Sequence, residues 1–361
     1  MKNRNTLKIL VTGAFGLVGI ETVEALSSCG YRPVCSDLES PENLLTSEKL
    51  LSKTGLQTIF LDITDEFAVD QIIQTERPDV VIHLAAMVPP LCYLEPDNAF
   101  RVNVIGTQNI VNSLRKLPSF KRLIYISSYS IHGPRNPYKN DGLITAGTAL
   151  NPGDNYGRHK VLSEQFIEAS GIPWVVLRLP AIFGLSQRSS SSATLQYQFI
   201  LQPERRQHAM DARDAGRAIC NTISAPVLWR TLVLGGSSPD WTRISKDFFG
   251  PIFRAQGLLP IPDRYYRQPD PERDQDWYYE DWGDIDESQE LLQYQEHTFA
   301  NYLKDLRKEK TKVPRLILRL MAPLVMKQIV RQSPYDRMVN GYDLRTHWQA
   351  VNDTFGSNSG K

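Results

Sequence analysis

Short apolar runs alternate with stretches whose apolar residues recur every three or four positions, and the alternation continues to about residue 180. The run Lys8 to Val11 is short and β-branched, as a buried strand is, and Arg32 to Cys35, Thr58 to Leu61, Asp79 to Leu84 and Arg122 to Ile126 read the same way. Between them, helical spacing predicts a helix opening near Gly16, others over Glu42 to Lys53 and Glu66 to Thr75, and a longer one from Asp97 to Lys116. Strands that alternate with helices in this order predict an α/β chain built on a doubly wound parallel sheet. Beyond residue 237 the pattern is more aromatic and charged: Asp276-Trp277-Tyr278-Tyr279-Glu280-Asp281-Trp282 precedes a predicted helix from Ser288 to Leu306. Val313 to Arg331 is a basic amphipathic segment interrupted by Pro323. The sequence therefore divides into 6–236, a smaller 237–310 part and a 311–361 tail.

Thr12-Gly13-Ala14-Phe15-Gly16-Leu17-Val18-Gly19 follows the first strand directly. Glycines there permit a tight turn and close backbone approach, and the helix that follows aims free N–H groups and its positive dipole end at phosphate. This is where a dinucleotide pyrophosphate sits in a Rossmann-type sheet, with Gly13, Phe15, Gly16, Leu17, Val18 and Gly19 around it. Asp37 lies eighteen residues after Gly19, just after the second predicted strand, placed to accept the adenosine ribose hydroxyls and to repel a 2′-phosphate. That favours NAD over NADP. Asp62 and the small residues of Leu84-Ala85-Ala86 also end strands, where a cofactor approaches.

Tyr156 and Lys160 are four apart on a predicted helix, so a phenol and an ammonium share a face. A tyrosine of pKa about 10 exchanges protons poorly at neutral pH, and a neighbouring cation favours its phenolate. Lys160 can also hold the nicotinamide ribose. Ser128, at a strand end on the same side of the sheet, can donate a hydrogen bond to the oxygen of a reacting carbonyl or alcohol.

Glycine turn, strand-end serine and Tyr-x-x-x-Lys in this order resemble the extended short-chain dehydrogenase/reductase family, the NAD-dependent epimerase/dehydratases, from residue 6 to about 300. Asp62-Ile63 is similar to the family's adenine contact, His83-Leu84-Ala85-Ala86 to its HLAA, and Asn103-Val104-Ile105-Gly106-Thr107 to its NVxGT. Arg178-Leu179-Pro180 with Phe183-Gly184, and Arg213-Asp214-Ala215-Gly216-Arg217-Ala218, resemble later landmarks. The resemblance implies a catalytic triad of Ser128, Tyr156 and Lys160, with Asn103 supporting the lysine through backbone or water contacts. It adds Ile63, Ser127, Leu179 and Pro180 to the cofactor site and implies a homodimer through the helices that hold Asn103 and Tyr156.

The substrate is less defined. Tyr129 and Ser130 stand where 4,6-dehydratases carry Asp-Glu, which disfavours dehydration. Ala181 replaces an Asn of UDP-sugar epimerases, and only about thirty residues join Gly184 to Asp214, which weighs against a UDP-sugar pocket. Met87, in the apolar stretch Ala86 to Leu91, Ala181 and His132 are the candidate substrate contacts; His132 could orient a polar group or give a second proton. His83 reads as a core residue and His159 as pointing away. A sugar or nucleotide sugar, or a less polar ketone as in hydroxysteroid-like dehydrogenases, fits this reading. So does a non-catalytic NAD(P) sensor or scaffold.

A net charge of +1, with 22% charged and 41% hydrophobic residues, is ordinary for a globular enzyme and argues against a general nucleic-acid binder. Cys29, Cys35, Cys92 and Cys220 lack metal-type spacing, so no metal is expected, and no leader-like segment precedes the first strand, which makes a cytoplasmic location the expectation. The serine patch Ser189 to Ser192 reads as a loop that could close over the site. Charges in Val313 to Arg331 exclude a simple spanning helix and leave membrane-surface docking, a partner helix or packing on its own domain, of which self-packing or a dimer contact is favoured.

Overall fold

The computed structural model describes residues 7–139, 142–185, 192–309, 315–335 and 342–356. The chain begins β1 (Ile9–Thr12), α1 (Leu17–Ser28), β2 (Val34–Asp37), α2 (Pro41–Thr54), β3 (Thr58–Phe60), α3 (Glu66–Glu76) and β4 (Val80–His83). Short helices α4 (Leu91–Leu94) and α5 (Pro96–Phe100) pass through a π-helical turn, Arg101–Gly106, into α6 (Thr107–Leu114). Then follow β5 (Arg122–Ser128), α7 (Asn155–Glu168), β6 (Trp174–Leu179), β7 (Ala181–Phe183), α8 (Ser192–Ile200), β8 (Arg206–Asp211), α9 (Ala212–Thr222) and β9 (Arg230–Val233). β10 (Thr242–Ile244), α10 (Ser245–Ala255), α11 (Asp286–Leu292), α12 (Phe299–Lys308), α13 (Arg315–Val330) and α14 (His347–Phe355) complete it.

Seven parallel strands in the order β3-β2-β1-β4-β5-β6-β9 make the main sheet. The chain leaves β1 on one side for β2 and returns to its other side for β4. Outside the carboxyl ends of β1 and β4 this change of direction opens a crevice, the place where such sheets bind ligands. Both faces of the sheet are covered, which explains why its strands are apolar at consecutive positions. Ile9 and Val11 pack with Val23 of α1 and Ala215 of α9, whereas Leu10 packs with Ile73 of α3 and Ile110 of α6. A smaller sheet, β10-β8-β7, carries its own aromatic core of Trp241, Phe248, Phe299 and Tyr302. β7 and β8 precede residue 237 yet belong to this smaller sheet, and β9 then returns to the large one.

Two predicted helices are interrupted. Asp97 to Lys116 contains the π-helical turn, and Ser288 to Leu306 is two helices, α11 and α12. The second break has a clear cause. Gln293 takes a left-handed conformation (φ 48°), the Gln289 side chain accepts from the Tyr294 and Gln295 N–H groups, and Asp214 accepts from those of Glu296 and His297. Tyr294 is thereby driven fully into the core. The proposed closing loop at 189–191 lies outside the described residues, while Ser192 opens α8. No described helix is long and apolar enough to cross a membrane, and the described residues hold no cluster that could bind a metal.

Five of the six histidines are buried: His83, His132, His159, His208 and His347. Desolvation pushes His83 down to about 3, His132, His159 and His208 to about 4, and His347 well below its ordinary value. With the folded pKa depressed, the unfolded chain binds more protons between about pH 6.5 and 4, so stability is present above that window and is lost as pH falls through it. Unfolding by urea at stepped pH is expected to give a plateau above about pH 7 and a fall approaching ~1.4 kcal/mol per pH unit for each histidine taking up a proton. A stability unchanged from pH 7 to pH 5 would contradict this.

Candidate active site

The glycine turn is shaped by close approach. Gly13 has φ +69° and a Cβ there would lie 2.5 Å from the Ala85 nitrogen; one on Gly19 would lie 2.1 Å from the Gly13 oxygen. Gly16 leads α1 with no side-chain cap, so the first N–H groups of the helix are open to the crevice. Asp37 is held by two backbone donors, Phe15 N–H at 2.9 Å and Leu38 N–H at 2.8 Å. β2 begins after Pro33 and runs two residues beyond the predicted strand, which makes Asp37 its last residue.

Two adjoining cavities occupy the crevice. One, of about 460 Å³, is lined by Asp37, Asp62, Ile63, Ala85 and Met87, among others. The second, of about 490 Å³, brings together Leu17, Val18 and Gly19 with Ser127, Ser128, Tyr156 and Lys160, and with Leu179, Pro180 and Ala181 of the β6–β7 corner. Gly13, Gly16, Leu84 and Ala86 line both.

Lys160 is buried, donates from Nζ to the Ile126 carbonyl at 2.7 Å, and lies 4.7 Å from the Tyr125 ring centre and 5.9 Å from that of Tyr156. Burial lowers Lys160 to about 8. Burial also raises the Tyr156 phenol well above its ordinary value, so desolvation outweighs the cation that the sequence pattern supplies. Ser128 Oγ accepts from Ser130 N–H at 3.2 Å and caps the 3₁₀ turn Tyr129–His132. Ser127 Oγ is buried with no hydrogen-bond partner.

Two sequence expectations change and a third is sharpened. Phe15 contributes its backbone N–H to Asp37, while its ring is fully buried 6.4 Å from Phe60, because the glycines around it turn the side chain into the core. The direct partners of Asn103 are Met87 and Ser163, so any support it gives Lys160 is indirect. Its side chain accepts from Met87 N–H at 2.7 Å and donates to Met87 O at 2.9 Å, and its carbonyl, in the π-helical turn, accepts from Ser163 Oγ on α7 at 2.9 Å. His132 is absent from the cavity walls: it is buried behind them, with Nδ1 3.2 Å from the Ala149 carbonyl. His159 faces Phe100 edge-on, and His83 bridges Thr12 and Thr107.

One polar wall of this cavity was not foreseen from the sequence. Arg205 is buried, pairs with Glu280 at 3.3 Å and donates to Gln207 Oε1 at 2.9 Å, and all three line the cavity with Tyr197 and Tyr278. The Tyr197 and Tyr278 hydroxyls are 3.2 Å apart. The acidic–aromatic run holding Tyr278 and Glu280 carried the signal, but aromatic runs usually fill cores. Also unforeseen is the support of α7. Asp154 caps it through Gly157 N–H at 2.7 Å and accepts from the Tyr93 hydroxyl at 2.5 Å. Tyr93 in turn packs against Tyr197, and against Trp348 and Phe355 of α14.

The sequence model of the NAD dependent epimerase/dehydratase family matches residues 9–209. The chain belongs to this family. UDP-glucose 4-epimerase of Dictyostelium discoideum is 30% identical over 48% of this chain and 50% of its own length. Methionine adenosyltransferase 2 subunit beta of Xenopus tropicalis is 28% identical over 52% of this chain and 50% of its own. The chain thus spans about half the length of the curated relatives it matches. The fold is shared with dTDP-glucose 4,6-dehydratase of Bacillus anthracis in complex with NAD (TM-score 0.68, 16% identity, 84% of this chain and 96% of that one). It is also shared with UDP-glucose 4-epimerase of Thermotoga maritima with UDP-glucose (TM-score 0.65, 19% identity, 84% and 98%). Family membership accounts for the crevice and the glycine turn.

Proposed function

We propose that the chain is an NAD-preferring oxidoreductase or epimerase acting at a secondary alcohol or ketone carbon. The observation that carries this reading is the convergence of Ser128, Tyr156 and Lys160 on one cavity that opens onto the uncapped start of α1. A dinucleotide fits the residues present. The α1 N–H groups and Gly13 and Gly16 offer a cradle for a pyrophosphate, Asp37 a carboxylate for ribose hydroxyls, and Ser127 an unpartnered buried hydroxyl in the wall. When bound, a nicotinamide dinucleotide supplies the hydride acceptor or donor. The chain's own residues hold and move the proton: the Tyr156 hydroxyl gives it to a ketone oxygen and becomes the phenolate, or the phenolate takes it from an alcohol; Ser128 donates a hydrogen bond to that oxygen, and the Lys160 ammonium offsets the phenolate charge.

The polar wall of Arg205, Gln207, Glu280, Tyr197 and Tyr278 supports a hydroxyl-rich, sugar-type substrate, as do the relatives whose names specify sugar nucleotides. A homodimer through the π-helical turn that holds Asn103 and through α7, which holds Tyr156, is supported by Phe100, just before that turn, and Leu162 of α7, both exposed. Asp37→Ser is expected to shift the NADP-over-NAD ratio of kcat/KM upward by about tenfold or more, since a carboxylate facing a 2′-phosphate is a like-charge contact. An unmoved ratio would remove Asp37 from ribose recognition.

A second reading, a dinucleotide-binding subunit without catalysis, is favoured by the relative that is named as a subunit of another enzyme. Purification without added nucleotide, acid release and mass spectrometry test the main proposal. Near-stoichiometric NAD points to an epimerase that recycles it. An empty protein that binds added NAD and turns over ketones or alcohols points to a dehydrogenase, and one with no dinucleotide affinity overturns the proposal.

A further inference from the structure

Helix α13 has two apolar faces, and the described molecule covers one of them. Ala322 and Val330 are buried, and Met326 and Ile329 pack in the cluster that holds Tyr265, Tyr266 and Tyr335. On the other side Ile317, Leu320, Met321 and Leu324 are exposed, Leu320 by 76% and Leu324 by 66%. Intervals of three and four make these four a single stripe along the helix. One turn further on, the same stripe continues in Lys327 and Arg331, both exposed. Self-packing, favoured from the sequence, therefore accounts for the inner face alone.

Charge identifies the occupant of the outer face. From Lys310 to Tyr335 the sequence contains Lys310, Lys312, Arg315, Arg319, Lys327 and Arg331 and no Asp or Glu. Those six cations stand in a chain whose net charge is +1, so the remainder carries a net −5. Of these cations Lys327 and Arg331 continue the stripe and are exposed, and a second copy packed in parallel on this face would bring them against their own copies, a repulsive arrangement. An anionic bilayer surface satisfies both features, with acyl chains taking the leucine stripe and head groups taking the cations. A helix of 16 residues, at 1.5 Å per residue, is shorter than the ~30 Å hydrocarbon core and lies along the surface rather than across it.

We propose that α13 docks in the interface plane of an anionic membrane and holds the protein there. The inference is independent of the catalytic reading. The inner face of α13 packs in the cluster that contains Ile261 and Tyr266, which line a smaller cavity sharing Leu201, Arg205 and Phe249 with the catalytic one. Docking would thus act on a helix backed by the substrate-side wall.

The test uses the full chain and sedimentation with phosphatidylcholine vesicles, with and without about 30% phosphatidylserine, at about 0.1 and 0.5 M salt. Binding is expected on the anionic vesicles and is expected to weaken at high salt. Lys327→Gln with Arg331→Gln should lower the partition about tenfold or more, and Leu320→Glu with Leu324→Glu should abolish it. All four side chains are exposed, and an unchanged melting temperature confirms that the variants fold. No sedimentation with anionic vesicles overturns the proposal, as does a double glutamate variant that sediments like the parent. If the glutamates instead convert a dimer to a monomer and leave partition untouched, the face belongs to a second copy.

Discussion

Tyr156→Phe is expected to lower kcat about a thousandfold, roughly 4 kcal/mol of activation free energy, while dinucleotide affinity and melting temperature stay near those of the parent. The substitution removes only the hydroxyl. The ring is buried in the aromatic cluster with Tyr93, Tyr197 and Phe199, and phenylalanine fills the same volume. Burial holds the phenol neutral in this geometry, so its proposed role begins as a proton donor or as a hydroxyl that must lose its proton to a neighbour. The neighbouring ammonium of Lys160, itself lowered to about 8, is the group placed to share that charge. Initial rates on ketone and alcohol substrates, with calorimetric binding of NAD on the same preparation, separate the outcomes. Full biological activity with cofactor still bound would transfer the protein to the sensor class.

Arg178→Met is expected to destabilise the fold by about 3–5 kcal/mol, the largest stability effect of any single side chain discussed, because it strands a buried carboxylate. Arg178 holds Glu164 through two bonds, Nε to Oε1 at 3.2 Å and Nη2 to Oε2 at 2.8 Å, and also donates to the Ala146 carbonyl. The two side chains are 5% and 2% exposed. The pair ties β6 to the helix that carries Tyr156 and Lys160, so its loss should also disturb the site. Pairing the change with Glu164→Leu removes the stranded charge and should recover most of the stability. Urea denaturation of the parent, both single variants and the double variant measures this coupling. Losses that simply add would show that the ion pair contributes nothing of its own.

Strands β1 to β5 of the main sheet were legible because they are short, apolar and followed by turn residues, which also located the glycine turn and Asp37, while helical spacing put Tyr156 and Lys160 on one face; β6 and β9 were not read as strands from the sequence. Elements set by long-range contacts were not legible. No local pattern shows that Asp214 will take the N–H groups of Glu296 and His297 and so end α11 before α12. Asn103 was recognised, but its partners, Met87 and Ser163, depend on a π-helical turn that helical spacing does not encode. His132 sits four residues after Ser128, and the 3₁₀ turn between them rotates it behind the wall instead of into the cavity. Arg205 and Glu280 are 75 residues apart, and only the folded small lobe joins them.

The seating of Tyr93 between Asp154, Trp348 and Phe355 has a consequence for how the protein comes into being. All seven strands of the main sheet lie before residue 234, so a nascent chain can assemble its dinucleotide crevice while the residues that follow are still being made. The brace behind the helix that carries Tyr156 and Lys160 arrives only with α14. An interrupted translation product therefore gains the crevice before it gains the finished site, and capacity to bind cofactor should precede capacity for chemistry along the growing chain.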